Sequence, residues 1–209
     1  MLADPPWHFR TFSDKGQGKS PSQHYSTLTP DEIRALPVSE LAAPDCWLFL
    51  WCPTAHLLQG LDVIDGWGFK FVGRAFVWLK QTKSGDGFCT GLGKTTRKGA
   101  VEDCWLAKRG RPHIKAHDVR ELIVAPRREH SRKPDEQYER IERLVDGPYV
   151  EMFARTQRPR WIPWGNQVGK FDATEPAYDA QDDLAKSIQF GFAFIRERKA
   201  AGGPRWGES

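Results

Sequence analysis

The sequence has few of the features that mark secreted, metal-binding or membrane proteins. Its 209 residues include only four cysteines, at positions 46, 52, 89 and 104, and none of them forms a Cys-x-x-Cys pair. We expect reduced, mostly buried thiols and no metal site, as is usual in the cytoplasm. The longest apolar run, at 46–52, is far shorter than the roughly 20 residues that span a bilayer, and no basic and apolar leader opens the chain. A cytoplasmic protein without membrane contact is therefore predicted.

Charge is distributed unevenly along the chain. Residues 94–133 hold 12 Lys and Arg against 5 Asp and Glu, a net charge of +7, whereas 1–93 and 134–209 carry −1 and −2. A solvated basic surface would account for this segment, and so would binding to a polyanion such as nucleic acid. The nine tryptophans can serve as core residues or can stack on planar bases.

Hydrophobic patterning predicts strands that alternate with helices. Short buried strands are predicted at 47–51, 71–79, 104–107, 122–125 and 150–153. Helices are predicted after a capping box at Thr29 and Glu32, across residues 57–64, and from Pro134. This alternation favours an α/β fold in residues 1–169, with a mostly parallel sheet covered by helices on both faces. Residues 170–209 are predicted to be a partly helical appendage.

Polar residues follow several of the predicted strands. Ligands of parallel sheets bind beyond the carboxyl ends of the strands. The candidates at such ends are Asp4, Arg127, Arg128 and Arg155. The segments 8–28 and 80–100 lack periodicity and are rich in Gly, Ser, Lys and Thr, and long loops of this kind often carry function.

The tetrapeptide Asp4-Pro5-Pro6-Trp7 can form a slot for an amino group conjugated to a ring. Two prolines fix two φ angles and remove two N–H donors, which should leave the Pro5 carbonyl free and rigidly aimed. Asp4 and this carbonyl can accept the two amine protons while Trp7 stacks on the base. Two acceptors would draw the lone pair out of conjugation and make the nitrogen nucleophilic. A proline-rich turn without function is the structural alternative.

The tetrapeptide is also the catalytic signature of the adenine-N6 methyltransferases related to the messenger-RNA methyladenosine writer. Further motifs resemble that family in the same order and, with the tetrapeptide, cover residues 3–168. They are Tyr25–Ile33, Leu48–Trp51, Gly66–Phe69, Ser131–Glu136, Glu151–Arg155 and Trp161–Gln167. The resemblance implies a Rossmann-like methyltransferase domain that uses S-adenosyl-L-methionine. It also implies a permuted order, with the catalytic motif first and the cofactor-binding strand last.

The resemblance implies a role for individual residues of the cofactor site. Asp4 would lie between the amino group of the cofactor and the target amine, and Lys133 would pair with the carboxylate of the cofactor. The other implied cofactor residues are Phe153, Arg155, Gln157, Asn166 and Gln167. A solvated Lys133 and an ordinary turn at Asn166 are the alternatives.

The chain departs from the family in two places. Only three residues precede Asp4, where the family has a fuller strand and a segment that contacts the cofactor, so we expect a truncated start or another element there. The stretch after Arg155 is also shorter than in the messenger-RNA writer. The match of Gln157 to a cofactor residue of the family is therefore the weakest of the set.

The substrate residues are predicted partly from the family and partly from charge. The resemblance sets Arg97, Lys98 and Glu102 beside the flipped nucleotide, and Arg127 and Arg128 can contact phosphates or simply solvate a strand end. The substrate candidates are Tyr25, Arg97, Lys98, Glu102, Arg127 and Arg128. A phosphate-loop pattern ending at Gly93-Lys94-Thr95 fails, because Phe88 stands where the pattern needs glycine.

We therefore predict an adenine-N6 methyltransferase that acts on nucleic acid, with the adenine flipped out or in a single strand. DNA is favoured over RNA because the chain resembles the compact single-domain members of bacteria and phages. The alternatives are an RNA methyltransferase and a non-catalytic nucleic-acid-binding subunit, although such subunits lose the Asp or Trp that are present here. The +7 segment disfavours a small-molecule methyltransferase. Nothing in the sequence fixes the oligomeric state, and a homodimer stays open.

Overall fold

The computed structural model describes residues 1–8, 27–91, 96–97, 99–129 and 131–172. The elements in chain order are β1 (Leu2–Ala3), α1 (Pro30–Arg34), α2 (Val38–Leu41), β2 (Cys46–Cys52), α3 (Leu57–Gly66), β3 (Lys70–Gln81), β4 (Val101–Arg109), β5 (Leu122–Pro126), α4 (Glu136–Leu144), β6 (Tyr149–Met152) and β7 (Trp161–Trp164). The helix expected in the C-terminal appendage lies outside the described residues, so the domain boundary near 169 stays a prediction. Within the described residues, no helix combines the length and the apolar character needed to cross a bilayer.

All seven strands form one sheet in the order β5-β3-β4-β2-β1-β6-β7. Every neighbouring pair is parallel except for the two pairs that involve β4, which runs antiparallel to both β2 and β3. The predicted α/β fold with a mostly parallel sheet is confirmed. Because β4 runs in the opposite direction, its first residues lie beside the carboxyl ends of the other strands. Asp103 is opposite Cys52, and Glu102 is opposite Trp78.

Helices cover both faces of the sheet, as predicted. In β2, Leu48 and Leu50 pack toward the face covered by α1, α2 and α3, while Phe49 and Trp51 pack toward the face of α4. Because this strand is buried on both faces, its sequence is continuously apolar, as is typical of a central parallel strand. The burial of these aromatic and aliphatic side chains supplies the main driving force for the fold.

Local sequence signals set the helix starts more reliably than the helix faces. Thr29 caps α1 through the predicted capping box, in which Glu32 Oε2 accepts the Thr29 N–H at 2.8 Å. In α3, however, Leu57 and Leu58 are 36% and 72% exposed, and the buried residues include Val63 instead. The predicted helix is present, and its first two leucines lie in its exposed first turn.

Strand β7 was not predicted as a strand. Pro163 lies within it and cannot donate a ladder hydrogen bond, which argues against a central strand. The structure accommodates the proline because β7 is the edge strand and pairs only with β6, with Pro163 opposite Glu151. The four-residue helix α2 also lacked a sequence signal.

Candidate active site

Asp4 lies at the centre of the sheet, directly after β1, and is held between two cations. Lys133 Nζ donates to both of its carboxylate oxygens at 2.8 Å, and Arg155 Nη2 donates to Oδ2 at 3.0 Å. Arg155 Nη2 also donates to the Ser131 carbonyl at 2.6 Å. The Asp4 side chain is 16% exposed, so it remains accessible from one side. Residues separated by 129 and 151 positions in sequence therefore meet at one carboxylate.

The sheet topology explains this convergence. Strands β1 and β6 are parallel neighbours with Ala3 opposite Met152, so Asp4 and Arg155 leave the sheet at the same edge. Lys133 precedes α4 on the adjoining segment. Ser131 and Phe153 have φ values of 63° and 61°, in the left-handed region that non-glycine residues seldom adopt. Such conformations cluster where the surrounding structure fixes a functional geometry.

A row of side chains with alternating charges extends from Asp4 along the carboxyl ends of the parallel strands. Glu102 Oε2 lies 3.3 Å from Lys133 Nζ, and Lys80 Nζ donates to Glu102 Oε1 at 2.8 Å. We call Lys80, Glu102, Lys133, Asp4 and Arg155 the charge row. It carries three positive and two negative groups, so it is suited to an additional anion such as the carboxylate of an amino acid.

Burial and charge oppose each other in the charge row. Burial alone would raise the pKa of Glu102, but the charges of Lys133 and Lys80 outweigh it and hold the pKa at about 2. Burial would likewise lower the pKa of Lys133, yet the charges of Asp4 and Glu102 leave it raised. Both groups are therefore charged at neutral pH.

The tetrapeptide loop differs from its expected form. The Pro5 carbonyl is not free, because it accepts the Trp7 backbone N–H at 2.8 Å, and only its second lone pair can serve a ligand. Trp7 is 3% exposed, donates its indole N–H to the Trp51 carbonyl at 3.0 Å, and stacks on His56 at 5.5 Å. In this arrangement Trp7 offers no open face to a base. It anchors the loop instead, because its large ring fills the space between β2 and the loop.

Most of the predicted cofactor residues line one open cavity. Its empty volume, including space open to solvent, is about 390 Å³. It is lined by Asp4, Pro5, Pro6, Ser131, Phe153, Arg155, Asn166 and Gln167. Lys133 lines an adjoining cavity of similar volume that shares Asp4, Phe153 and Arg155. Carboxylate, cationic, amide and aromatic groups are thus brought together, and these groups fit the ammonium, carboxylate, ribose and adenine of S-adenosyl-methionine.

A close backbone approach positions the two amides of the cavity. A Cβ at Gly165 would lie 2.9 Å from both the backbone nitrogen and oxygen of Ala154, so only glycine fits there. This contact brings the end of β7, with Asn166 and Gln167, against the end of β6. Gln157 is the exception among the cofactor candidates, since it is exposed and lines neither cavity, whereas its neighbour Thr156 lines one.

The substrate candidates are spread over several places. Arg97 and Arg127 are exposed, while Glu102 belongs to the charge row. Arg128 donates to Asp135 Oδ2 and to the Lys133 carbonyl, both at 2.7 Å, and its contact with a phosphate stays a prediction. Its guanidinium therefore supports the segment that carries Lys133. Tyr25 and Lys98 lie outside the described residues.

Sequence reasoning missed two groups of residues at the site. Lys80 was not identified, although it lies at the end of a predicted strand, the same signal that selected Asp4 and Arg155. Glu151 is buried, and Tyr138 donates to its Oε1 at 2.9 Å. Burial raises the pKa of Glu151 to about 7. The sequence signal that could have identified Glu151 is an acidic residue within an otherwise apolar strand. No cluster of metal-ligating side chains occurs in the described part of the chain.

Comparisons with known proteins find similar sequences among methyltransferases. The chain is 29% identical over 195 residues to an N(6)-adenosine-methyltransferase MT-A70-like protein of Arabidopsis thaliana, covering 87% of the chain and 27% of the relative. It is 31% identical over 180 residues to the human N(6)-adenosine-methyltransferase catalytic subunit METTL3, covering 84% and 29%. It is 28% identical over 187 residues to the Type II methyltransferase M.MunI of a Mycoplasma species, covering 80% and 76%.

The match to the family extends over most of the chain, whereas the chain spans less than a third of the Arabidopsis and human relatives. The MT-A70 family model matches residues 1–167 of the 209, a region that contains Asp4, Lys133, Arg155 and Asn166. On this evidence the chain belongs to the MT-A70 family of adenine-N6 methyltransferases.

Proposed function

We propose that the protein is an S-adenosyl-methionine-dependent methyltransferase that methylates the N6 amino group of adenine in nucleic acid, with DNA as the favoured substrate. The observation that carries this proposal is Asp4, a carboxylate held by Lys133 and Arg155 at the mouth of a cavity lined by Asn166 and Gln167. The amides suit ribose hydroxyls and the adenine edge, and Lys133 suits a carboxylate.

The residues of the chain have separate tasks in this reaction. When bound, S-adenosyl-methionine would supply a methyl group on a sulfonium. The sulfonium becomes a neutral thioether when the methyl group is transferred, and this thioether is a good leaving group. Asp4 accepts a hydrogen bond from the target amine, and the second lone pair of the Pro5 carbonyl can accept the other. These acceptors aim the nitrogen lone pair and stabilise the positive charge that grows on N6. No strong base is needed, because the amine attacks the methyl carbon before its proton leaves. The N–C bond would form as the S–C bond breaks, the neutral thioether would depart, and the methylated nitrogen would then release its proton to solvent.

We infer DNA as the substrate from the similarity to the Type II methyltransferase M.MunI, with which the chain aligns over 187 residues. The Arabidopsis and human relatives are N(6)-adenosine-methyltransferases, so RNA stays the alternative. The basic segment 94–133 is the favoured surface for the polyanion, with exposed Arg97 and Arg127 as phosphate contacts.

The test is a product analysis on matched substrates. The protein is incubated with isotopically labelled S-adenosyl-methionine and with DNA and RNA of the same sequence, each single-stranded and duplex, and the digested nucleosides are identified by mass spectrometry. We expect label in N6-methyldeoxyadenosine. Label in N6-methyladenosine alone would contradict the choice of DNA, and label in neither nucleoside would contradict the proposed activity.

A further inference from the structure

Lys80 lies at the carboxyl end of β3, and strands β4 and β2 lie between β3 and β1, the strand that Asp4 follows. Its backbone is fixed on both sides, since its N–H donates to the Ala100 carbonyl at 2.7 Å and its carbonyl accepts the Cys89 N–H at 2.8 Å. Its ammonium lies 5.7 Å from the centre of the Trp78 ring, and the side chain is 18% exposed. The lysine is thus held in one place and is not a freely solvated surface charge.

Glu102 connects this lysine to the active site, and each of its two oxygens has a different cationic partner. Oε1 accepts from Lys80 at 2.8 Å, and Oε2 lies 3.3 Å from the ammonium of Lys133. Lys133 in turn holds both oxygens of Asp4. Without Lys80, Lys133 would be the remaining cationic partner of Glu102 among the described contacts, so Glu102 would compete more strongly with Asp4 for its ammonium.

We propose that Lys80 is a positioning residue for methyl transfer, which acts through Glu102 to keep Lys133, and with it Asp4, in the geometry that receives the amine. This inference rests on the proposed function. Lys80 touches neither the reacting atoms nor the cavity of Asn166 and Gln167. Its removal should therefore lower kcat and leave the affinity for the cofactor nearly unchanged.

The charges around Glu102 give the inference a pH signature. Lys80 faces it from β3, Lys133 from the segment before α4, and Asp4 lies beyond Lys133. Cys104 follows on the same face of β4, and burial raises the pKa of its thiol, so it is neutral. Loss of Lys80 removes one of the two charges that offset the burial of Glu102, so the pKa of Glu102 must rise. Activity that needs ionised Glu102 should then fall as the pH is lowered, earlier than in the wild type.

The experiment compares five variants with the wild type. Lys80→Met keeps most of the aliphatic stem and removes the charge, and Lys80→Arg keeps the charge. Lys70→Met is the matched control, because Lys70 is an exposed lysine at the opposite end of the same strand. Glu102→Gln is made alone and together with Lys80→Met. For each protein, kcat, KM and the pH profile of methyl transfer to adenine are measured, together with the Tm.

We expect Lys80→Met to lower kcat about tenfold, the scale of one charged hydrogen bond, with KM within about twofold. The acidic limb of its profile should move to higher pH, Lys80→Arg should restore most of the rate, and Lys80→Met should add little in the Glu102→Gln background. The inference is overturned if Lys80→Met behaves like Lys70→Met. It is also overturned if the loss persists in Lys80→Arg with an unshifted pH profile, or adds fully to that of Glu102→Gln. A wild type that methylates no adenine contradicts the proposed function instead.

Discussion

Replacement of Lys133 by methionine should both destabilise the protein and weaken cofactor binding. Lys133 is 8% exposed, and its ammonium serves Asp4 at 2.8 Å and Glu102 at 3.3 Å. Removing one partner of a buried ion pair leaves the other charge buried and unpaired, which typically costs about 3–5 kcal/mol. The pKa of Glu102 is held at about 2 by Lys133 and Lys80 together, so the loss of Lys133 removes only part of this stabilisation and the lower end of the range applies. We therefore expect a loss of about 3 kcal/mol.

The loss should depend on pH in a defined direction. Because the pKa of Glu102 is lowered in the folded state, its contribution is fully present above pH 4.5 and disappears as the pH falls toward 2. Urea unfolding at pH 7 and at stepwise lower pH measures this. Lys115→Met is the control, since Lys115 pairs with the exposed Asp146 and should lose less than about 1 kcal/mol. Equal stability of the two variants at pH 7 would refute the reasoning.

The remaining predictions concern the cavity, the basic surface and the β6–β7 contact. Asn166→Ala should weaken S-adenosyl-methionine binding about tenfold in calorimetry, through loss of a hydrogen-bonding amide, with DNA affinity unchanged. Unchanged cofactor affinity would contradict its assignment. Arg97→Ala and Arg127→Ala should each lower the slope of log affinity against log salt by about 0.9 on duplex DNA, and an unchanged slope would mean that the phosphates are held elsewhere. Gly165→Ala should lower the free energy of unfolding by about 1–3 kcal/mol, because its Cβ would lie 2.9 Å from Ala154, and wild-type stability would show that the loop can yield.

The fold was predictable wherever local signals were strong. The apolar run of β2 and the capping box at Thr29 identified their elements directly. Two features escaped for physical reasons. Pro163 hides β7, because a proline is compatible with a strand only at a sheet edge, and the edge position depends on the whole topology. The direction of β4 likewise depends on long-range pairing, and only its reversal brings Glu102 to the active edge.

The sequence predicted which residues form the candidate site better than it predicted the hydrogen bonds and ion pairs between them. Motif resemblance selected Asp4, Lys133 and Arg155, and the parallel pairing of β1 and β6 explains why Asp4 and Arg155 meet. The observed contacts differ from the predicted ones because the charged side chains pair with one another. Lys133 holds Asp4 and Glu102, and Arg128 supports the Lys133 segment instead of facing solvent. Such pairings depend on distances that no local pattern in the sequence specifies.

The most direct test of the central claim is the rate of methyl transfer to adenine N6 by Asp4→Asn. Asparagine is close in size and can still accept a hydrogen bond, but it lacks the charge that Lys133 and Arg155 hold and that stabilises the developing positive charge on the amine. Single-turnover transfer from saturating labelled S-adenosyl-methionine to DNA is measured for both proteins, with calorimetry to verify that each binds the cofactor. We predict a loss of about a hundredfold or more, on the order of 3 kcal/mol. Transfer by Asp4→Asn within a few fold of the wild type would contradict the account.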